Sequence, residues 1–136
     1  MNIRYIIVHC TATAAGRDFH VADVRRWHKA KGWRDIGYHY LIALDGTIEP
    51  GRPEGQIGAH CAGFNHCSLG VCYVGGLAAD GRTPEDTRTT AQKAALRALL
   101  ARLKKKYPDA RILAHHHFNK AKACPCFDAD HEYEDL

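Results

Sequence analysis

Ile3 to Val8 is a β-branched and aromatic run that predicts a strand, and it breaks into the small-residue loop Thr11-Ala12-Thr13-Ala14-Ala15-Gly16. Asp18 then offers a cap for a helix in which Val21, Val24, Trp27 and His28 recur at helical spacing until Gly32 stops the pattern. Tyr38 to Leu44, Asp45-Gly46 and Thr47-Ile48-Glu49 predict a hairpin, with Asp-Gly supplying the positive φ of a type I′ turn. Residues 50–67 are rich in Gly and His and predict a long loop over the sheet. Leu69 to Val74 is almost continuously apolar, as a strand buried on both faces should be, and Gly75-Gly76 closes it. From about Thr89 to Lys106, the residues Ala95, Leu96, Leu99, Leu100 and Leu103 mark one apolar stripe of a helix. Lys104-Lys105-Lys106 lies at its C-terminal end, where cations complement the helix dipole, and Pro108 stops it. Arg111-Ile112-Leu113-Ala114 predicts a short last strand.

Strands alternating with two helices predict an α/β fold over residues 1–136 as one domain: a mixed central sheet flanked by helices. A chain of 136 residues with 46% hydrophobic positions has the length of one ordinary domain and can bury about two thirds of its unfolded surface. Its longest early aliphatic run, Ile6-Ile7-Val8, is far from the ~18 apolar residues of a membrane span or the ~7–15 of a secretory core. Neither a transmembrane segment nor a signal peptide is expected.

Charge is unevenly distributed. All 19 Lys and Arg but only ten of the 15 Asp and Glu fall in residues 1–127, so that stretch carries a net +9 against +4 for the whole chain. A basic body favours an anionic partner, and charge alone allows either nucleic acid or an anionic wall polymer. Residues 128–136 form an acidic tail that reads as a solvated, frayed end.

Six cysteines in a chain without a signal peptide read mostly as free thiols, whereas ten histidines ask for a metal or acid–base explanation wherever they meet a cysteine. They meet after the last strand, where His115-His116-His117 precedes Cys124-Pro125-Cys126. Imidazole and thiolate are zinc ligands, and a catalytic zinc site keeps three protein ligands and one open position. His9, at the end of the first strand, can supply the third ligand if the two strands are neighbours. Cys10 should point away from His9 by strand alternation and reads as a packed thiol. Alternation likewise keeps His115 and His116 from facing one metal together, and turns His39 away from Tyr38. A pair formed by Cys124 and Cys126 remains a rival that would close the site into a structural one.

Several segments occur in a recognisable order: Ile6-Ile7-Val8-His9-Cys10-Thr11-Ala12-Thr13, Trp27-His28-Lys29, Gly32-Trp33, Asp35-Ile36-Gly37-Tyr38-His39-Tyr40, Asp45-Gly46-Thr47, Gly51-Arg52, Gly58-Ala59-His60, Asn65, Gly70-Val71 and Lys122-Ala123-Cys124-Pro125. Together they resemble the zinc-dependent N-acetylmuramoyl-L-alanine amidases of the phage-lysozyme type, relatives of the peptidoglycan recognition proteins. The resemblance implies one zinc per chain held by His9, one of His115 and His116, and Cys124. The small residue before His115 favours that histidine, counting back from Cys124 favours His116, and His115 is taken as the ligand. It further implies Tyr38 and Lys122 as catalytic residues and His60 and Asn65 as substrate contacts, in a zinc cleft at the strand ends beneath the 50–67 loop. His28 is read as packing or surface, and His20, His66, His117 and His131 receive no role.

The function so implied is hydrolysis of the amide between N-acetylmuramic acid and L-alanine in peptidoglycan or muropeptides, by a monomer with no nucleic-acid or membrane partner. A phage or prophage endolysin would stay in the cytoplasm until released to the wall, and a cytosolic amidase recycling wall fragments would look the same. Two rivals from other classes are a non-catalytic peptidoglycan-binding module, which would lack the third ligand, and a regulatory protein that binds another macromolecule.

Overall fold

A computed structural model describes residues 2–136. Its five-stranded sheet is built from β1 (Tyr5–Cys10), β3 (Tyr40–Ile42), β4 (Ile48–Pro50), β5 (Ser68–Tyr73) and β7 (Arg111–Ala114), in the order β4-β3-β5-β1-β7. β3, β5, β1 and β7 run parallel, and β4 is the antiparallel edge, which makes the sheet mixed as expected. A small parallel pair, β2 (Thr13–Ala14) with β6 (Gly76–Leu77), extends beyond the main sheet.

Strand alternation sends the central strands' side chains into two cores. Ile6, Val8 and Cys10 of β1 join Leu69, Val71 and Tyr73 of β5 against Leu96, Leu99, Leu100 and Leu103 of the helix α2 (Thr90–Lys106). On the other face Leu41, Cys72 and Val74 pack with Ile36 and with Val21 and Val24 of α1 (Val21–Ala30). Layers on both faces explain why β5 reads as an almost continuous apolar run. His9 therefore lies on the face opposite Cys10, and Cys10 is the packed thiol that alternation predicts.

Thr89 caps α2 by accepting from the Gln92 amide at 3.0 Å. The buried Gln92 side chain donates onward to the carbonyls of Ile42 (3.2 Å) and Val74 (2.9 Å), which fixes the helix against the sheet. At α1 the cap is His20 rather than Asp18, because Asp23 reaches back to the His20 amide at 2.8 Å while Asp18 accepts from Phe19 and Leu44. The hairpin forms, but not with a type I′ turn. Gly46 alone takes a positive φ of +87°, and its amide donates to Ala43 O at 2.9 Å, the pattern of a longer loop with one left-handed residue.

Residues 51–64 form the loop expected over 50–67, whose ends are taken by Pro50 of β4 and a 3-10 turn at Asn65–Cys67; the buried Arg52 guanidinium holds it down by donating to Ile36 O (2.9 Å) and Ile57 O (2.6 Å). The acidic tail, by contrast, is not a solvated end. α4 (Ala129–Glu132) docks on β7, with Ala129 and Tyr133 buried. Arg88, its side chain only 2% exposed, clamps Glu132 at 2.7 Å and Asp86 at 2.9 Å while its guanidinium lies 3.4 Å from the Phe127 ring centre. Asp130 accepts from the Ala114 amide at 2.7 Å and pairs with His117 at 2.7 Å. Three of the tail's carboxylates, Asp130, Glu132 and Asp135, partner cations or amides far away in sequence, which composition alone does not reveal. Among the described residues no helix is long and apolar enough to cross a membrane.

Candidate metal centre and cleft

β1 pairs with β7 so that Val8 stands beside Ala114, and the residues just beyond, His9 and His115, emerge side by side with ring centroids 4.5 Å apart. His115 opens α3 (His115–Phe118), a single helical turn rather than the extended segment the sequence reading assumed. The start of that turn, not strand alternation, aims His115 inward. His116 is turned outward, and its amide instead donates to Cys124 O at 2.9 Å, drawing the following loop back to the strand ends. Tyr73 holds the same loop from below, its hydroxyl donating to Pro125 O at 2.6 Å.

This brings Cys124 to His9. Its Sγ lies 3.9 Å from His9 Nδ1 and accepts from the Cys10 amide at 3.2 Å. One donor atom each from His9, His115 and Cys124 falls within 4.8 Å of the others. Tetrahedral zinc with Zn–N of about 2.0–2.1 Å and Zn–S of about 2.3 Å needs donor separations of about 3.3–3.6 Å, so small side-chain adjustments suffice. Cys126 lies elsewhere. It takes a left-handed φ of +70°, and its Sγ is 3.9 Å from Cys10 Sγ, on the α2 side of the sheet. The donor set fits a site with a vacant position rather than a closed two-cysteine one.

Electrostatics keep the imidazoles neutral and available. Burial pushes His9 well below the usual histidine range, helped by His60 and His115 alongside. His115 is lowered by burial and by the nearby Lys122 ammonium. Burial, with His39 and His115 adding to it, brings His60 down to about 3. A neutral imidazole presents the lone pair that a metal requires.

Around the three donors opens a cleft of about 580 Å³, lined also by Thr11, His28, Trp33, Tyr38, His60, Asn65 and Lys122. Tyr38 lies with its ring centroid 5.1 Å from that of His9. Burial raises its hydroxyl well above the usual tyrosine range, with the Cys72, Cys124 and Cys10 thiols adding to the effect. Lys122 is exposed at the rim. His60 donates no side-chain hydrogen bond into the open cleft; its Nδ1 faces His9 Nε2 at 2.8 Å. Asn65 Oδ1 accepts from the amides of His60 (2.9 Å) and Cys61 (2.8 Å). His39 points the other way, accepting from the Gly70 amide and facing Gln56 O.

His28, read from the sequence as packing or surface, is a cleft residue. Its Nδ1 accepts from the Gly37 amide at 2.8 Å, and its ring sits between Trp33 (4.5 Å) and Tyr38 (5.5 Å). Burial, then Lys31 and Arg52, lowers it to about 4. The signal was present: Val21, Val24 and His28 form one buried stripe of α1, and the stripe ends at the cleft. Lys31 and Trp33 line the same wall, a role that the sequence assigns to neither.

A profile of the N-acetylmuramoyl-L-alanine amidase family matches residues 1–127. The chain is 49% identical to the endolysin of Klebsiella phage KP32 over 129 residues, which is 95% of this chain and 84% of that protein. It is 46% identical to the endolysin of Escherichia phage T7 over the same length and coverage. Among solved structures, the N-acetylmuramoyl-L-alanine amidase LysC from Clostridium intestinale superposes with a TM-score of 0.82 at 30% identity, covering 97% of this chain and 82% of that one. Bumblebee PGRP-SA superposes with a TM-score of 0.81 at 27% identity, covering 100% and 83%.

Proposed function

The chain belongs to the N-acetylmuramoyl-L-alanine amidase family, and on that premise we propose that it cleaves the wall amide at a single zinc ion held by His9, His115 and Cys124. Its relatives are endolysins and its activity is that of an amidase, hydrolysing the bond between N-acetylmuramic acid and L-alanine in peptidoglycan. What carries the metal assignment is the convergence of two imidazoles and one thiol, from positions 9, 115 and 124, on one point of the cleft floor.

Zinc bound there would supply Lewis acidity, polarising the scissile carbonyl and acidifying a water molecule. The chain's own groups do the rest. Cys124 sulfur is steadied by the Cys10 amide, and its charge with two neutral imidazoles leaves the loaded site at a net positive charge suited to an anionic transition state. Tyr38 keeps its proton at neutral pH because burial opposes ionisation, so it donates a hydrogen bond to oxygen as negative charge develops. Lys122, exposed at the rim of the cleft, adds a cation there. His28, whose Nδ1 is already accepting from Gly37, has its proton on Nε2 and offers a fixed donor along the same wall.

The substrate is an anionic polymer, which a chain of net +4 attracts, and we assign the chain a monomeric role held in the cytoplasm until it gains access to the wall. Digestion of purified peptidoglycan tests the reaction: new L-alanine amino termini without new reducing sugar ends support it, and new reducing ends would replace it with a glycosidase.

A further inference from the structure

A histidine that binds a metal through one ring nitrogen must carry its proton on the other, so whatever receives that proton decides whether the ligand is ready. His9 Nδ1 faces Cys124, and its Nε2 lies 2.8 Å from His60 Nδ1. Only one proton can sit between those two nitrogens. The remaining hydrogen bonds settle which ring supplies it. Phe64 O can only accept, and Ser68 Oγ, 2.7 Å away, directs its single proton there. Ser68 Oγ must then accept from His60 Nε2 at 3.3 Å, which leaves His60 Nδ1 bare and able to accept from His9 Nε2. Under that polarity His9 Nδ1 keeps its lone pair for the metal. Both His60 nitrogens are then engaged, with none left for a substrate.

We infer that His60 is a positioning residue for the metal site, which sets the tautomer and ring plane of His9 through the relay His9–His60–Ser68–Phe64 O. The inference rests on the zinc reading above and replaces the substrate contact that the family resemblance implied for His60. The local backbone is built for it. Asn65 Oδ1 anchors the amides of His60 and Cys61, and Gly70 leaves room for the ring, since a Cβ there would lie 2.7–2.8 Å from ring atoms of His60. The acceptor is a neutral imidazole where a carboxylate is commoner, so the relay orients His9 without adding negative charge to the site.

Zinc affinity by chelator competition, together with steady-state kinetics at saturating zinc, tests this on the wild type, His60→Leu and His60→Asn. His60→Leu should weaken zinc binding about 10- to 100-fold, and His60→Asn should recover most of it, because Asn Oδ1 can accept where Nδ1 did. KM at saturating zinc should stay within about twofold, since the lost contact is to a ligand rather than to substrate. Ring ¹⁵N spectra of the wild-type zinc protein should show a proton on His9 Nε2 and none on His60 Nδ1, a readout that stands even if His60→Leu fails to fold. Unchanged zinc affinity in folded His60→Leu, or a proton on His60 Nδ1, would overturn the positioning role alone. A wild-type protein that takes up no zinc would overturn the metal reading and this inference with it.

Discussion

Asp130→Ala should loosen the molecule where the sequence suggested nothing was attached. Asp130 Oδ1 is the acceptor for the Ala114 amide at 2.7 Å, and Ala114 is fully buried at the end of β7, one residue before His115. Removing the carboxylate strands a buried N–H, which costs about 1–3 kcal/mol. Its other oxygen pairs with His117 across a part-exposed contact, worth no more than about 1 kcal/mol. A total near 2–3 kcal/mol corresponds to a Tm lowered by roughly 6–12 °C in a domain of this size. Differential scanning calorimetry of the metal-free protein is the assay, so that zinc binding does not mask the change. Asp130→Asn keeps an acceptor for Ala114 and should recover more than half of the loss. A Tm for Asp130→Ala within about 1 °C of wild type would mean that the tail is peripheral after all, and the account of how α4 braces the β7 end would be wrong.

Three further outcomes follow from the structure. Cys124→Ser should lose most of its zinc and activity while Cys126→Ser retains both, as metal analysis and wall-lysis assays of the two proteins will tell; the reverse pattern would mean that the wrong sulfur has been assigned. Tyr38→Phe should still hold one zinc per chain but turn over about 100-fold more slowly, and an unchanged rate would remove Tyr38 from the reaction. Burial pushes Glu54 up, yet hydrogen bonds from Tyr40, Tyr107 and Lys106 outweigh it and hold the carboxyl at about 2. A depressed carboxylate stabilises the fold above its unfolded pKa of about 4.3, and that stability drains away as pH falls towards the folded value. Denaturant titrations of Glu54→Gln should therefore show a shallower loss of stability between about pH 5 and pH 2 than the wild type, and parallel curves would contradict the assignment.

Much of the fold was legible because the elements that carry it have strong periodicity. β7 spans the four residues Arg111–Ala114 that the pattern marked, and α2 begins within a residue of its Thr89 cap because Thr89 and Gln92 form a reciprocal capping pair. β5 declared its two-sided burial through an almost unbroken apolar run. The ligand candidates were legible for a different reason: His and Cys at strand ends are unusual, and the order of motifs around them resembles one family. What the sequence concealed depends on contacts between distant positions. Asp130 and Glu132 look like solvated charge until Ala114 and Arg88 are placed beside them. The turn at Gly46 departs from type I′ because Asp45 uses its carboxylate on the Thr47 amide and keeps out of the left-handed region. His28 was passed over because a histidine on a helix is usually unremarkable, and only the position of α1 against Tyr38 and Trp33 makes it a wall of the cleft.

X-ray absorption at the zinc K-edge of the purified protein tests the central assignment most directly, because it counts sulfur without reference to any mutant. One sulfur at about 2.3 Å with a shell of nitrogen and oxygen at about 2.0–2.1 Å, at one zinc per chain, is the predicted result. Two sulfurs, none, or full amidase activity in protein stripped of metal would contradict it.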